Sequence, residues 1–421
     1  VIGAGANRLA AVDAQTFWMS AKIPNDQFLL YAFAGRPADP SELLAGLRSR
    51  AERCPELCLR IADDCALRYP AWVTAPVRAG QFVSHVGAAR EWTDCLDAVA
   101  ALADDQVDAR AAAWRLHLFA PVTGAPGADG PVTVAVLQIA HALADGTRTA
   151  DLAGWLFGRD APVAAVPGAR RGSLLVRGIA AARAHRALQR DIGAGVLPSP
   201  PPPRPVLATN ARPAGTRRIR TLVRQRSALA ATGTVTVAAL VAIGAALGRY
   251  LRSRGADPTL LAAEVPMRKP GNRLAHNHFG NVGVALRPDL AAAAAATAIT
   301  AELAAARARA EHPAAVAARR SFAAVPAPLL RWGVRQFDAS ARSPVVTGHT
   351  VVSSVFRGAA DLRLDGMPVL LTAGYPALSP MMGLTHGVHG IGDTVAVSVH
   401  AADSAIDIDE YVALLDRELP R

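Results

Sequence analysis

Val132-Thr133-Val134-Ala135-Val136-Leu137-Gln138-Ile139 leads directly into Ala140-His141-Ala142-Leu143-Ala144-Asp145-Gly146. The first eight residues alternate β-branched and small side chains, which predicts a strand that stops where the histidine begins. His141 therefore stands at a strand end, one helical turn before an acid and a glycine. A neutral imidazole takes a proton from a hydroxyl at cellular pH, and an Asp four residues on can fix the backbone or the ring's surroundings. The stretch reads as a general-base site with His141 and Asp145 as candidate catalytic residues. Gly146, without a Cβ, lets a substrate come close to the backbone.

The chain around this stretch has 421 residues. That exceeds what one hydrophobic core usually organises, so two domains are expected. Hydrophobic residues make up 51% of the chain and the mean hydropathy is +0.21, which requires a large buried core and excludes a disordered polymer. The clearest boundary is Leu197-Pro198-Ser199-Pro200-Pro201-Pro202-Pro203-Arg204-Pro205. A proline run continues neither a helix nor a central strand and acts as a semi-rigid tether. The expected division is residues 1–196, a linker over 197–206, and residues 207–421.

Basic residues outnumber acidic ones, 45 to 34, for a net charge of +11. Such an excess favours anionic partners such as coenzyme phosphates or a membrane surface. The cluster Arg217-Arg218-Ile219-Arg220 with Arg224 and Arg226 has no interleaved aromatics, so no nucleic-acid partner is expected. Its alternation suits a strand with one wet face. Helices are expected over residues 41–58 with Ser41 as N-cap, over 172–190, and over 290–309 with Asp289 as N-cap. In the second of these, Arg177, Arg183, Arg186 and Arg190 face away from Leu174, Leu175 and Ile179. That face is either solvated or able to rest on an anionic membrane. Strands are expected over 345–355 and 395–399.

Residues 227–247 carry no charge and have the length of a membrane span. Small residues dominate them, however, and Thr232-Gly233-Thr234 supplies an N-cap inside the stretch, so a loop followed by a buried core helix is expected. The first apolar stretch lacks a basic flank and a cleavage site. No secretory signal is therefore expected, a few residues are expected before Val1, and the protein is placed in the cytoplasm with at most peripheral membrane attachment. Val1-Ile2-Gly3-Ala4-Gly5-Ala6 imitates a dinucleotide fingerprint, but Arg8 stands where the third glycine belongs, and a turn is expected there. His276-Asn277-His278 lacks an accompanying metal pattern and reads as a loop. Cys54, Cys58, Cys65 and Cys95 have no second pair at zinc-site spacing and read as buried free thiols; no metal is expected.

The stretch from His141 to Gly146 resembles the His-His-x-x-x-Asp-Gly motif of the chloramphenicol acetyltransferase-like superfamily. That superfamily includes condensation domains of peptide synthetases and bacterial wax ester synthase/diacylglycerol acyltransferases. His141 matches the second histidine, while Ala140 replaces the first. Leu9-Ala10-Ala11-Val12-Asp13-Ala14-Gln15-Thr16-Phe17-Trp18 is similar to the opening segment of the wax ester synthase-like branch. Gly233-Thr234-Val235 resembles that branch's Thr-Val-Asn-Asp helix start, with Thr236 and Val237 in place of the Asn-Asp pair. Val265-Pro266-Met267-Arg268, followed by Gly280-Asn281, resembles its Val-Pro-x-x-Arg and Gly-Asn stretch. These matches occur in family order.

The resemblance implies an α/β fold of two similar lobes, each a mixed sheet flanked by helices, with an active-site channel between them. It implies transfer of an acyl group from a thioester such as acyl-coenzyme A to a hydroxyl acceptor such as a long-chain alcohol or diacylglycerol. His141 would be the base, Asp145 a structural residue paired with a basic side chain, and the thioester a substrate rather than a cofactor. Partners would be these small molecules and a peripheral membrane or lipid-droplet surface. Arg268 is expected to pair with Asp145 or a coenzyme phosphate, and Asn281 to bind substrate. Ser353 and Ser354 are oxyanion-donor candidates or structural serines. Two alternatives stand beside this reading: a diverged, non-catalytic lipid- or partner-binding member, and a condensation-type enzyme whose acyl donor is a carrier protein.

Overall fold

Every residue of strand Val132–Ile139 is buried. An apolar run of that length is stable only with both faces covered, and the fold covers them. In the computed structural model, which describes residues 7–168, 172–231 and 233–421, the strand pairs antiparallel with Gln27–Ala34 on one side and Trp114–Thr123 on the other. The full sheet adds Arg363–Leu364 and Met367–Tyr375 beyond Gln27–Ala34, and Phe82–Ser84 and Arg90–Glu91 beside Trp114–Thr123. A second sheet runs Arg217–Gln225, Thr394–Ala402, Leu384–Ile391, Thr350–Phe356, Ala262–Arg268 and Phe279–Ala285. It mixes antiparallel and parallel pairs. Among the described residues three apolar clusters form: one in each lobe, and one between the sheets where Leu30, Phe119 and Val134 meet Ile219 and Ala396.

The proline run belongs to no helix or strand until Arg204–Pro205 at its end, which pairs with Val345–Val346. It does not partition the sheets. Met367–Tyr375, from the second half of the chain, pairs with Gln27–Ala34 and completes the first sheet. Helix Ala327–Gln336 likewise places Ala327, Leu330 and Val334 in the first lobe's core. The expected 207–421 lobe thus lends a strand and a helix to the other, because alternation specifies a strand but not the sheet it joins.

Local expectations hold in type and shift in detail. The helix expected over 41–58 is Pro40–Glu52, capped by Asp39, whose carboxylate accepts from the Ser41 and Glu42 amides. Ser41 is therefore not the N-cap. Asp289 does not cap Ala292–Glu311 either; it pairs with Arg252. The strand expected over 345–355 is broken into Val345–Val346 and Thr350–Phe356. Thr234 caps helix Val235–Ser253, accepting from the Val237 amide. This helix is long and apolar enough to cross a membrane, yet 67% of its apolar 18-residue window is buried inside the protein as core. Helix Leu174–Gly193 has no buried residue, and Leu175, Val176 and Ile179 are exposed beside its arginines. Cys54 and Cys95 are buried, whereas Cys58 and Cys65 are partly exposed. The Val1 to Ala6 stretch and Thr232 lie outside the described residues.

Candidate active site

His141 lies where the first sheet meets the second. Strand Val132–Ile139 ends one residue before Ala140, whose amide donates to the Ala113 carbonyl. A short turn follows, and helix Gly146–Leu156 begins with Asp145 as its N-cap, accepting from the Arg148 amide at 3.1 Å. The histidine is thereby set between a rigid strand end and a capped helix start.

The ring is held on both faces of the interlobe cleft. It stacks on Phe279 from the second lobe, with centroids 5.6 Å apart and planes 11° from parallel. The Gln27 amide nitrogen, which donates to the Ala144 carbonyl at 2.5 Å, lies 2.9 Å from Nδ1, and the ring also meets the carbonyls of His141 itself and Ala144 and the Asn277 side chain. No hydrogen bond engages Nε2 among the described residues. Burial lowers the His141 pKa from its ordinary value, opposed by the Asp145 charge and these backbone carbonyls, so the ring is neutral near pH 7.

Asp145 turns away from the ring. Its carboxylate accepts two bonds from Arg273, at 2.8 and 3.1 Å, and one from the His278 amide at 2.9 Å. Burial alone would raise this carboxyl, but the Arg273 guanidinium and the Arg148 and His278 amides outweigh it and hold the pKa below the ordinary value. Arg268 is therefore not the partner of Asp145: it is exposed at the end of strand Ala262–Arg268, and the chain must run on to Arg273 before it folds back onto the first lobe.

That returning loop carries the residues sequence reasoning passed over. His276-Asn277-His278 is a loop, as expected, but a buried one. Asn277 donates from Nδ2 to the His141 carbonyl at 2.8 Å and to Asp13 at 3.0 Å. Asp13, on helix Ala11–Ser20, also accepts from the His276 and Asn277 amides, both at 2.9 Å. Burial pushes its carboxyl up to about 7 despite these donors. Asp13 stood inside the N-terminal resemblance, the one signal that could have found it; Asn277 stood in a triplet read only as a loop, and Arg273 carried no signal.

A cavity of about 460 Å³ opens between the lobes at His141. Its wall includes all five expected substrate-binding positions: Gly146, Arg268, Asn281, Ser353 and Ser354. A Cβ on Gly146 would come within 3.3 Å of Val355 on the facing strand, so the glycine keeps this wall open. Ser354 is tied to Thr236 at 2.8 Å, and Asn281 to Glu264 at 3.2 Å. Ser353 has no side-chain hydrogen bond among the described residues and is the freer donor.

No protein-family model matches the chain, and no curated protein matches it. Solved structures do. The wax ester synthase/diacylglycerol acyltransferase from Marinobacter aquaeolei VT8 is 17% identical, with 98% of each chain covered and a TM-score of 0.64. The first condensation domain of the CDA synthetase is 16% identical over 99% of this chain and 95% of its own, with a TM-score of 0.61. A variant of the starter condensation domain of rhizomide synthetase, solved in complex with C8-CoA, is 14% identical over 98% and 93%, with a TM-score of 0.57. The chain therefore has the two-lobed α/β fold shared by that wax ester synthase and these condensation domains.

Proposed function

We propose that the chain is an acyltransferase of the wax ester synthase-like kind, moving an acyl group from a coenzyme A thioester to a hydroxyl acceptor. The observation that carries this reading is a neutral histidine at the base of an interlobe cavity, with Nε2 left free by the protein. Acceptor and thioester meet there. As the acceptor oxygen attacks the thioester carbonyl, its proton passes to Nε2. The tetrahedral oxygen then carries a negative charge, and the donor assigned to it is the Ser353 hydroxyl on the cavity wall. Collapse breaks the carbon–sulfur bond, and the departing thiolate takes the proton back from the imidazolium. Ester and free thiol leave, and His141 is neutral again.

A mass-spectrometric screen of acyl-coenzyme A thioesters, plain and carboxylate-bearing, against long-chain alcohols, hydroxy acids, diacylglycerol and amines tests the reading. Ester formation with a hydroxyl acceptor is the expected result. Silence across the whole panel, or transfer only from a carrier-protein donor, would replace it with a binding or condensation role.

Gln27 supplies a pH test. The depressed His141 pKa keeps the base form available in acid, so kcat/KM should hold its plateau to below the ordinary histidine value of 6.5. Gln27→Glu exchanges an N–H beside Nδ1 for a carboxylate oxygen, which favours a proton on Nδ1 and the charged ring. The acidic limb should then move to higher pH. A profile that superimposes on wild type would detach Gln27 from the ring's proton.

A further inference from the structure

Arg357 follows strand Thr350–Phe356 and lines the same cavity. It is 4% exposed. Its Nη1 donates to the Thr372 hydroxyl, its guanidinium lies 5.2 Å from the Tyr31 ring centroid, and its Nε has no partner among the described residues. Burial lowers its pKa, opposed only by the phenols of Tyr31 and Tyr375; no carboxylate pairs with it among the described residues. Arg148, just as buried, shows the usual arrangement by pairing with Glu56.

Beside Arg357 stands His389, 5% exposed, with Nδ1 unpartnered among the described residues. Burial, reinforced by the Arg357 charge, keeps its ring neutral. A Cβ on Gly374 would sit 2.9 Å from Arg357 Nη2 and 2.6 Å from His389 Cε1. The glycine thus yields the space that lets both side chains lie against one stretch of wall.

A guanidinium does not lose its proton in proteins, and a permanent buried cation without a counter-ion is unfavourable. The compensating charge must come from what enters the cavity. We propose that Arg357 and His389 form a carboxylate-binding subsite, so that the acyl or acceptor chain brought to His141 bears an anionic group. The substrate class is then a hydroxy acid or a dicarboxylic acyl thioester rather than a plain long-chain alcohol with a plain fatty acyl donor. This rests on reading the cavity as an acyl-transfer site. A ground-state carboxylate accounts for Arg357 better than the reaction's own oxyanion does, because the oxyanion exists only transiently while the cation is buried throughout the cycle.

Arg357→Met is the test variant, with octanoate and methyl octanoate as probes. By calorimetry, wild type should bind octanoate and the variant should bind it at least about 30-fold more weakly, with no difference between the proteins toward the methyl ester. Without ligand, the variant should melt at a higher temperature, since an apolar side chain has replaced an unpaired buried charge. Arg357→Lys, which keeps the charge and loses the fork, should fall between them. In turnover, KM for the carboxylate-bearing substrate should rise with kcat little changed. Whether donor or acceptor shows that rise identifies which of them carries the carboxylate. Equal loss of kcat on charged and neutral substrates would make Arg357 a holder of the oxyanion and overturn the subsite. So would wild type that does not distinguish octanoate from its ester. Octanoate binding through Arg357 in a protein that transfers no acyl group would keep the subsite and remove the transferase reading.

Discussion

His141→Ala should lower kcat by about 10²–10⁴-fold, the range for a lost general base, and leave the fold intact. The ring itself belongs to none of the three apolar clusters: its contacts are the Gln27 and Asn277 side chains, the carbonyls of His141 and Ala144, and the face of Phe279. Melting temperature and circular dichroism should therefore match wild type, while release of free thiol from acyl-coenzyme A in the presence of acceptor nearly stops. Rates within a few-fold of wild type would take the proton transfer away from His141.

Arg273→Met should destabilise the protein by about 3–5 kcal/mol, because it leaves the Asp145 carboxylate buried and uncompensated. The Asp145 side chain is 4% exposed and that of Arg273 21%, so solvent screens the acid little. The pH dependence has a definite sign. The folded-state pKa of Asp145 is held below its ordinary 3.8. Its stabilising contribution in wild type is thus present above that value and is lost as pH falls through the lower folded pKa. In the variant the same carboxyl is destabilised as an anion, so protonation relieves it. The stability gap between the two proteins should be widest at neutral pH and narrow toward acid. Urea denaturation at several pH values measures this, and a gap independent of pH would mean that Asp145 and Arg273 are not coupled. Turnover should fall with stability, since the loop that Asp145 anchors also holds the His141 carbonyl.

The strand that ends before His141 was legible because it rests on local chemistry: alternation specified Val132–Ile139. The helix that starts at Gly146 with Asp145 as its cap was not read, because Asp145 stands out by its place in the motif. What depends on chain return was not legible. Arg268 and Arg273 are five residues apart and equally basic; only the path of the loop after strand Ala262–Arg268 gives Asp145 to the second. His276, Asn277 and His278 have a loop's composition, and their burial comes from the opposite lobe. Asp13 sat in a segment read for its order in a family pattern, with nothing local to say that it braces a loop more than two hundred and sixty residues away. The crossing of Met367–Tyr375 into the first sheet is likewise a property of packing. Arg357 was invisible for the simplest reason: one arginine after a strand looks like any surface cation until the wall around it is seen.

A crystal structure with a non-reactive thioether analogue of acyl-coenzyme A tests the central claim most directly. The account predicts the analogue threaded into the interlobe cavity, its carbonyl carbon at the His141 end, with Nε2 facing the space the acceptor oxygen would occupy and Ser353 within hydrogen-bond reach of the carbonyl oxygen. An analogue seated outside that cavity, or one whose carbonyl is screened from Nε2 by protein atoms, would contradict it.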